Sequence, residues 1–161
     1  MKDPGREIRP FESDEDVVWA ARVMAGSEPW ITLGRGYEAS RAILSDAAKE
    51  RYVALAGSDR AAFLILNMAG AFAGYIQTIC VAAAFRNRGL GTRLMQFAEE
   101  RVFRDSPNVF LCVSSFNSGA RRLYERLGYR PVGELPDYLV AGHSELLMRK
   151  TIGPLAGFAG R

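Results

Sequence analysis

One histidine and two cysteines among 161 residues leave little with which to hold a transition metal. His143 alone cannot complete a common zinc set, and Cys80 and Cys112 form no C-x-x-C pair, so no metal is expected. Each cysteine sits inside an apolar run, which fits buried thiols in a reducing, cytoplasmic setting. No block of five like charges occurs. The arginines are spread out, without a basic stripe of interleaved aromatics, so no nucleic-acid partner is expected. The longest apolar stretches are interrupted by Asn67, Gly70 and Gln77, which argues against a membrane span, and Met1–Gly5 carries no apolar signal segment. Disorder is excluded by 48% hydrophobic and 24% charged residues. The length suits one domain with a sizeable core, and a net charge of +3 is compatible with an anionic small ligand.

Along the chain, Glu7–Pro10 reads as a short edge strand. Ser13 is placed to cap a helix with Asp14, Glu15 and Asp16 in its first turn, carrying Val17, Val18, Ala21 and Met24 at helical spacing and stopping near Gly26. Tyr37 to Ala48 reads as a second helix. Strands follow at Arg51 to Ala56, Ala61 to Asn67 and Tyr75 to Val81. A helix over Thr92–Arg101, a continuous apolar strand over Val109–Val113, a helix from Ser118 to Leu127 ended by Gly128, and closing strands at Tyr129–Gly133 and Glu145–Lys150 complete the order. This succession predicts an α+β or mixed α/β domain over residues 1–150. The Gly- and Ala-rich Thr151–Arg161 reads as a loose tail.

Two segments carry chemistry. Between the strand ending at Val81 and the following helix lies Arg86-Asn87-Arg88-Gly89-Leu90-Gly91-Thr92. Glycines allow backbone N–H groups to approach a ligand, and a helix start adds unpaired N–H groups and the positive end of its dipole. The run lacks the third glycine of a dinucleotide turn, that position being Leu94, and the Gly-Lys-Ser/Thr of a nucleotide P-loop. By themselves these residues read equally as a helix-capping turn or as a phosphate cradle. The second segment runs from Ser114 to Tyr129. Asn117 is a good N-cap, and Tyr124 follows it by about two helical turns, on a similar side.

Together, Arg86-x-x-Gly89-x-Gly91 after a strand and Asn117-x-x-Ala120-x-x-x-Tyr124-x-x-x-Gly128-Tyr129 some 25 residues later resemble the GNAT-type N-acetyltransferases. The resemblance is specific from about Ala61 to Gly133, and residues 1–60 match only in element order. It implies a mostly antiparallel central sheet with splayed central strands, flanked by about four helices, and acetyl-CoA as cosubstrate. The amides of Arg88, Gly89, Leu90, Gly91 and Thr92, with Arg86 and Arg88 nearby, would hold the pyrophosphate. The backbone of Ile79, Cys80 and Val81 would pair with the pantetheine arm, an N–H of Cys80 or Ile79 would polarise the thioester, Asn117 would bond the pantetheine, and Tyr124 would protonate the leaving thiolate. No cysteine is placed for a covalent intermediate, so direct attack by a primary amine in a ternary complex is implied.

Two departures stand out. Some family members have a glutamate early in the strand before the pyrophosphate loop; here Tyr75 and Gln77 stand there, with no carboxylate from Ala61 to Val81. The base is unassigned, with Glu28, Glu38 and Glu145 as candidates by position. Ala83 stands where the family often has proline. Trp30 and Tyr37, around Gly34 and Gly36, either line an acceptor pocket or staple the two N-terminal helices. Two alternatives remain at this level: an acceptor that is a protein N-terminus or lysine, and a non-catalytic acyl-CoA-binding domain. Edge strands at the C-terminal end are compatible with a homodimer.

Overall fold

A computed structural model describes residues 7–161; the Met1–Gly5 stretch, read above as lacking a signal, lies outside them. Seven strands form one sheet: β1 (Glu7–Pro10), β2 (Glu50–Ala56), β3 (Asp59–Asn67), β4 (Tyr75–Val81), β5 (Asn108–Ser114), β6 (Arg130–Leu135) and β7 (Glu145–Thr151), in the order β1-β2-β3-β4-β5-β7-β6. Every neighbouring pair is antiparallel except β4–β5. Four helices flank it: α1 (Asp14–Ala25), α2 (Tyr37–Leu44), α3 (Leu90–Val102) and α4 (Ser118–Arg126). The expected α+β architecture is therefore the one observed.

The period-2 pattern of β3 explains the two layers. Ala62, Leu64 and Leu66 pack with Leu90, Leu94, Met95 and Ala98 of α3 and with Tyr124 of α4. Phe63 and Ile65 face the other way, against Val17, Ala20, Ala21 and Met24 of α1 and Leu44 of α2. Burial on both faces is why β3 is almost wholly apolar.

Several boundaries differ from the sequence expectation. The second helix ends at Leu44 rather than Ala48. Ser45 turns its hydroxyl back to the Arg41 carbonyl, and Asp46 accepts the Ala48 N–H, so the polar side chains satisfy the backbone of a turn. Ser13 occupies the N-cap position of α1, but its hydroxyl makes no capping bond. The segment expected as a tail returns to the body: Ile152 N–H donates to the Pro107 carbonyl and Arg161 N–H to that of Phe103. Among the described residues no helix is long and apolar enough to cross a membrane.

Asp16 anchors α1 to the sheet. Its buried carboxylate accepts from Arg9 of β1 at 2.9 and 3.1 Å, from Arg60 of β3 at 2.7 Å and from the Glu12 N–H at 2.9 Å. Burial alone would raise this carboxyl, but the hydrogen bonds from Arg9, Glu12 and Arg60 together hold it well below the usual carboxylate range. A group depressed in the folded state stabilises fully above its unfolded pKa, about 3.9, and loses that contribution as pH falls through the folded value. Asp16→Ala leaves two guanidinium groups without their shared partner. It should cost about 3–5 kcal/mol at neutral pH, roughly 10 °C in melting temperature, with the gap to the parent protein narrowing below about pH 4. Thermal melts of both proteins from pH 3 to 7 check this.

Candidate active site

The parallel β4–β5 contact is the discontinuity in the sheet. Pairing covers only Tyr75 with Phe110 and Ile76 with Leu111, reinforced by Phe110 N–H to the Gly74 carbonyl at 3.0 Å. Beyond Ile76, β4 stays paired to β3 and β5 stays paired to β7, so the two strands part from each other. A cavity of about 600 Å³ opens there, lined on the β4 side by Gln77, Ile79, Cys80 and Val81, and on the other by Cys112, Ser114, Asn117 and Tyr124.

Ladder parity decides which amides face this opening. Ala82 N–H donates to the Ala61 carbonyl, and Phe63 lies opposite Cys80 two residues earlier. In an antiparallel ladder hydrogen-bonded pairs alternate, so Cys80 turns its N–H into β3, whereas Ile79 and Val81 turn theirs into the opening. Of the two amides considered for polarising a carbonyl, only that of Ile79 faces the opening. The Val81 carbonyl, also outside the β3 ladder, accepts from Arg86 Nε at 3.1 Å.

The turn after β4 begins with a short 3-10 turn, Ala83–Phe85. Asn87 and Gly89 both take positive φ, 60° and 79°, and Gly89 is the N-cap of α3, its carbonyl accepting from the Arg93 N–H. Among the described residues, no protein acceptor meets the N–H groups of Arg88, Gly89, Leu90, Gly91 or Thr92. They form a run of free donors at the positive end of α3. Arg88 lies over the Phe85 ring, 5.9 Å from its centroid. Arg86 is turned toward the cavity instead, with Nη2 donating to Ser27 Oγ at 3.1 Å, so it ties the α1–α2 loop to the end of β4. A Cβ at Gly89 meets open space but must adopt positive φ, whereas a Cβ at Gly91 meets only Leu123 Cδ2 at 3.6 Å, an ordinary contact. Gly89→Ala should therefore lower stability by about 1 kcal/mol and weaken anion binding as the turn relaxes, while Gly91→Ala leaves both near the parent values. Calorimetric titration of coenzyme A into each variant, with melting curves, checks the pair.

Asn117 caps α4, its Oδ1 accepting from the Ala120 N–H at 3.4 Å. Tyr124, two turns on, is buried and packs edge-on against Tyr129, ring centroids 6.1 Å apart; no protein group bonds its hydroxyl among the described residues. Burial pushes this phenol up to about 12. Burial likewise pushes the Cys80 thiol up to about 11, against the pull of Ser27 and Arg86, and raises Cys112. Neither thiol is set up as a thiolate nucleophile.

The far end of the cavity lies between the α1–α2 loop, with Glu28, Trp30, Leu33 and Arg35, and the β6–β7 loop, with Tyr138 and Leu139. Trp30 both lines the cavity and packs in the α1–α2 core; Tyr37 packs there without lining the cavity. Of the three carboxylates considered as bases, Glu38 is outside the cavity. Glu28 lines it while accepting the Thr32 N–H at 3.2 Å, and Glu145 lines it as a buried side chain bonded by Ser114 Oγ at 2.6 Å. Arg35, Ser114 and Tyr138 were not singled out in the sequence, because nothing local marks them: they meet only through loop packing and the β5–β7 register. Among the described residues no group of histidine, cysteine and carboxylate side chains could hold a metal ion.

The Acetyltransferase (GNAT) family matches residues 15–129. A blasticidin-S acetyltransferase of Streptomyces morookaense is 31% identical over 91 residues, covering 52% of this chain and 67% of that protein. Two further curated relatives are matched over only 46% and 51% of their own lengths. Among solved structures, the ribosomal-protein-S18-alanine N-acetyltransferase of Escherichia coli superposes with a TM-score of 0.73 at 19% identity, covering 94% of this chain and 96% of that one. An aminoglycoside 6'-N-acetyltransferase complexed with coenzyme A gives 0.71 at 17% identity, covering 92% and 98%.

Proposed function

Because the chain belongs to the GNAT acetyltransferase family, we propose that it moves an acetyl group from acetyl-CoA to the primary amine of a small molecule, by direct attack in a ternary complex. The observation that carries this reading is the separation of β4 from β5, which opens a cavity lined by Val81 and Arg86, a few residues before the donors at the start of α3, and by Asn117 and Tyr124. The residues suit the cosubstrate. The free amides of Arg88–Thr92 and the Arg88 guanidinium match a pyrophosphate, whereas Arg86, expected beside it, is held by Ser27 and Val81. The inward amides of Ile79 and Val81 match an extended pantetheine arm, and Asn117 offers it a polar side chain.

In the reaction, the Ile79 N–H polarises the thioester oxygen as negative charge gathers there. The amine nitrogen bonds to the carbonyl carbon, the C–S bond breaks, and the departing sulfur takes the Tyr124 proton. A phenol held near 12 is fully protonated at neutral pH, as a general acid must be. The high pKa of both cysteine thiols supports direct attack over an acyl-cysteine.

A cavity of about 600 Å³ that must also take the end of the pantetheine arm supports a small amine over a lysine on a folded protein. The unpaired thiols support a cytoplasmic setting. The exposed outer edge of β6 is where two copies would pair in a homodimer. Release of coenzyme A thiol across a panel of small amines and N-terminal peptides tests the reading. Amine-dependent release with an N-acetylated small product is the expected result; thiol release with peptides alone would move the acceptor to proteins, and none with any amine would leave a binding domain.

A further inference from the structure

Besides the exposed Glu28, which accepts the Thr32 N–H, the acceptor end of the cavity holds two opposite charges that are not paired with each other. Glu145 begins β7 directly across from Ser114, the last residue of β5, whose hydroxyl donates to Oε1 at 2.6 Å. Among the described residues no protein donor reaches the other oxygen, and although the residue as a whole is buried this oxygen opens onto the cavity, where it is left for a ligand. Arg35 enters from the opposite wall. Its backbone N–H is held by the Trp30 carbonyl at 2.9 Å, but its guanidinium makes no hydrogen bond and lies within ion-pair distance of no carboxylate among the described residues. Arg86, the other cation in the lining, is occupied by Ser27 and Val81.

We infer that Glu145 and Arg35 form the acceptor site, and that the acceptor is a small amine carrying an acidic group, an amino-acid-like zwitterion: Glu145 binds and deprotonates the amine while Arg35 holds the anion. The assignment rests on acetyl transfer being the reaction. It supplies the base absent from β4. The Glu145 carboxylate takes one proton from the ammonium, and the freed nitrogen pair forms the C–N bond. The C–S electron pair leaves with sulfur, which is protonated by Tyr124. The second N–H proton, shed as the amide forms, passes to the Tyr124 phenolate and restores the phenol, and solvent removes the proton from Glu145, so the products are the amide, free coenzyme A thiol and one proton. Burial pushes the Glu145 carboxyl above its ordinary value, against the Ser114 hydrogen bond and the charges of Arg35 and His143, which makes it a stronger base than an exposed glutamate. Tyr75 and Cys112 also face it, from β4 and β5.

The test measures kcat and KM by thiol release for matched pairs of amines, each an acid and its carboxamide, with a linear polyamine as the contrast. Calorimetric titration of the same acceptors into coenzyme A-saturated protein gives a ranking that needs no turnover. In the parent protein the acid should be preferred by roughly 10- to 100-fold, the scale of one charge-assisted hydrogen bond. Arg35→Gln should bring the acid-to-carboxamide ratio close to one through KM. Glu145→Gln, which keeps the volume and the Ser114 bond, should lower kcat by about 10²-fold or more. It should also remove the acidic limb of the pH profile, which His143→Gln retains. Turnover with no acid preference, a polyamine preferred, or an Arg35→Gln variant that lowers both members of a pair equally would overturn the inference while leaving acetyl transfer intact. Acid-selective binding without any thiol release would instead overturn the transfer reading and keep the recognition pair.

Discussion

Tyr124→Phe should lower kcat by about 10²-fold or more while coenzyme A affinity and melting temperature stay near the parent values. The variant deletes one oxygen. That oxygen has no protein hydrogen bond among the described residues, so its loss strands no partner, and the ring keeps its edge contact with Tyr129. The ground state is thus little changed. What disappears is the proton that the sulfur takes as the C–S bond breaks, an interaction made only on the way to products, so kcat falls without a matching rise in KM. Because burial holds the phenol near 12, the parent profile should show no loss of activity from this group up to about pH 11. Steady-state kinetics on the variant, with a calorimetric coenzyme A titration, measures both halves. An unchanged kcat would remove Tyr124 from the chemistry.

A large structural effect is expected at Gly74→Ala. Gly74 precedes β4 with φ +91°, and its carbonyl takes the Phe110 N–H that starts the short β4–β5 pairing. A Cβ there would stand 2.4 Å from the Asn108 carbonyl oxygen and 2.6 Å from Val102 Cγ1. The first neighbour is strand backbone and cannot rotate away, so β5 must shift at the point from which the cavity opens. Positive φ adds about 1–2 kcal/mol and overpacking about 1–3 kcal/mol, for a loss of roughly 2–5 kcal/mol. That corresponds to a fall of roughly 5–20 °C in melting temperature. Gly70→Ala is the matched control: φ is +80° but the Cβ meets open space, so only the backbone cost, about 1 kcal/mol, should appear. Equal melting temperatures for the two variants would show that the close approach at Gly74 is not what fixes the β4–β5 junction.

These two glycines illustrate what the sequence makes legible. The proposed cosubstrate side is local: Arg86 to Thr92 is one turn, and Asn117 and Tyr124 lie two turns apart on one helix, and the resemblance to the GNAT-type N-acetyltransferases is what joined the two segments. Helix and strand order was also readable, because β3 and β5 are apolar runs of strand length and Gly128 ends α4 at φ +94°. The proposed acceptor side was readable only in part: Glu145 stood among three candidate bases and Trp30 as a candidate lining residue, but neither Arg35 nor the Ser114 contact could be read. Glu145 meets Ser114 only through the β5–β7 register, across 31 residues, and Arg35 reaches the same cavity from a loop whose path depends on the Arg86–Ser27 tie. The missing carboxylate on β4 looked like a weakness in the catalytic reading. In the folded chain a carboxylate enters the cavity from β7 instead, which no pattern within 61–81 could reveal. The choice between the Ile79 and Cys80 amides likewise needed the β3–β4 pairing, since adjacent residues of a strand differ only in the direction they face.

The central claim is that the gap between β4 and β5 receives the acyl-CoA arm with its pyrophosphate at the start of α3. Backbone amide shifts recorded by NMR while coenzyme A is titrated in measure this directly. The account predicts large changes at Ile79, Val81, Arg88–Thr92 and Asn117, with smaller ones at Cys80, whose amide points into β3. Saturable coenzyme A binding that leaves the amides of Ile79 and Arg88–Thr92 unmoved would contradict it.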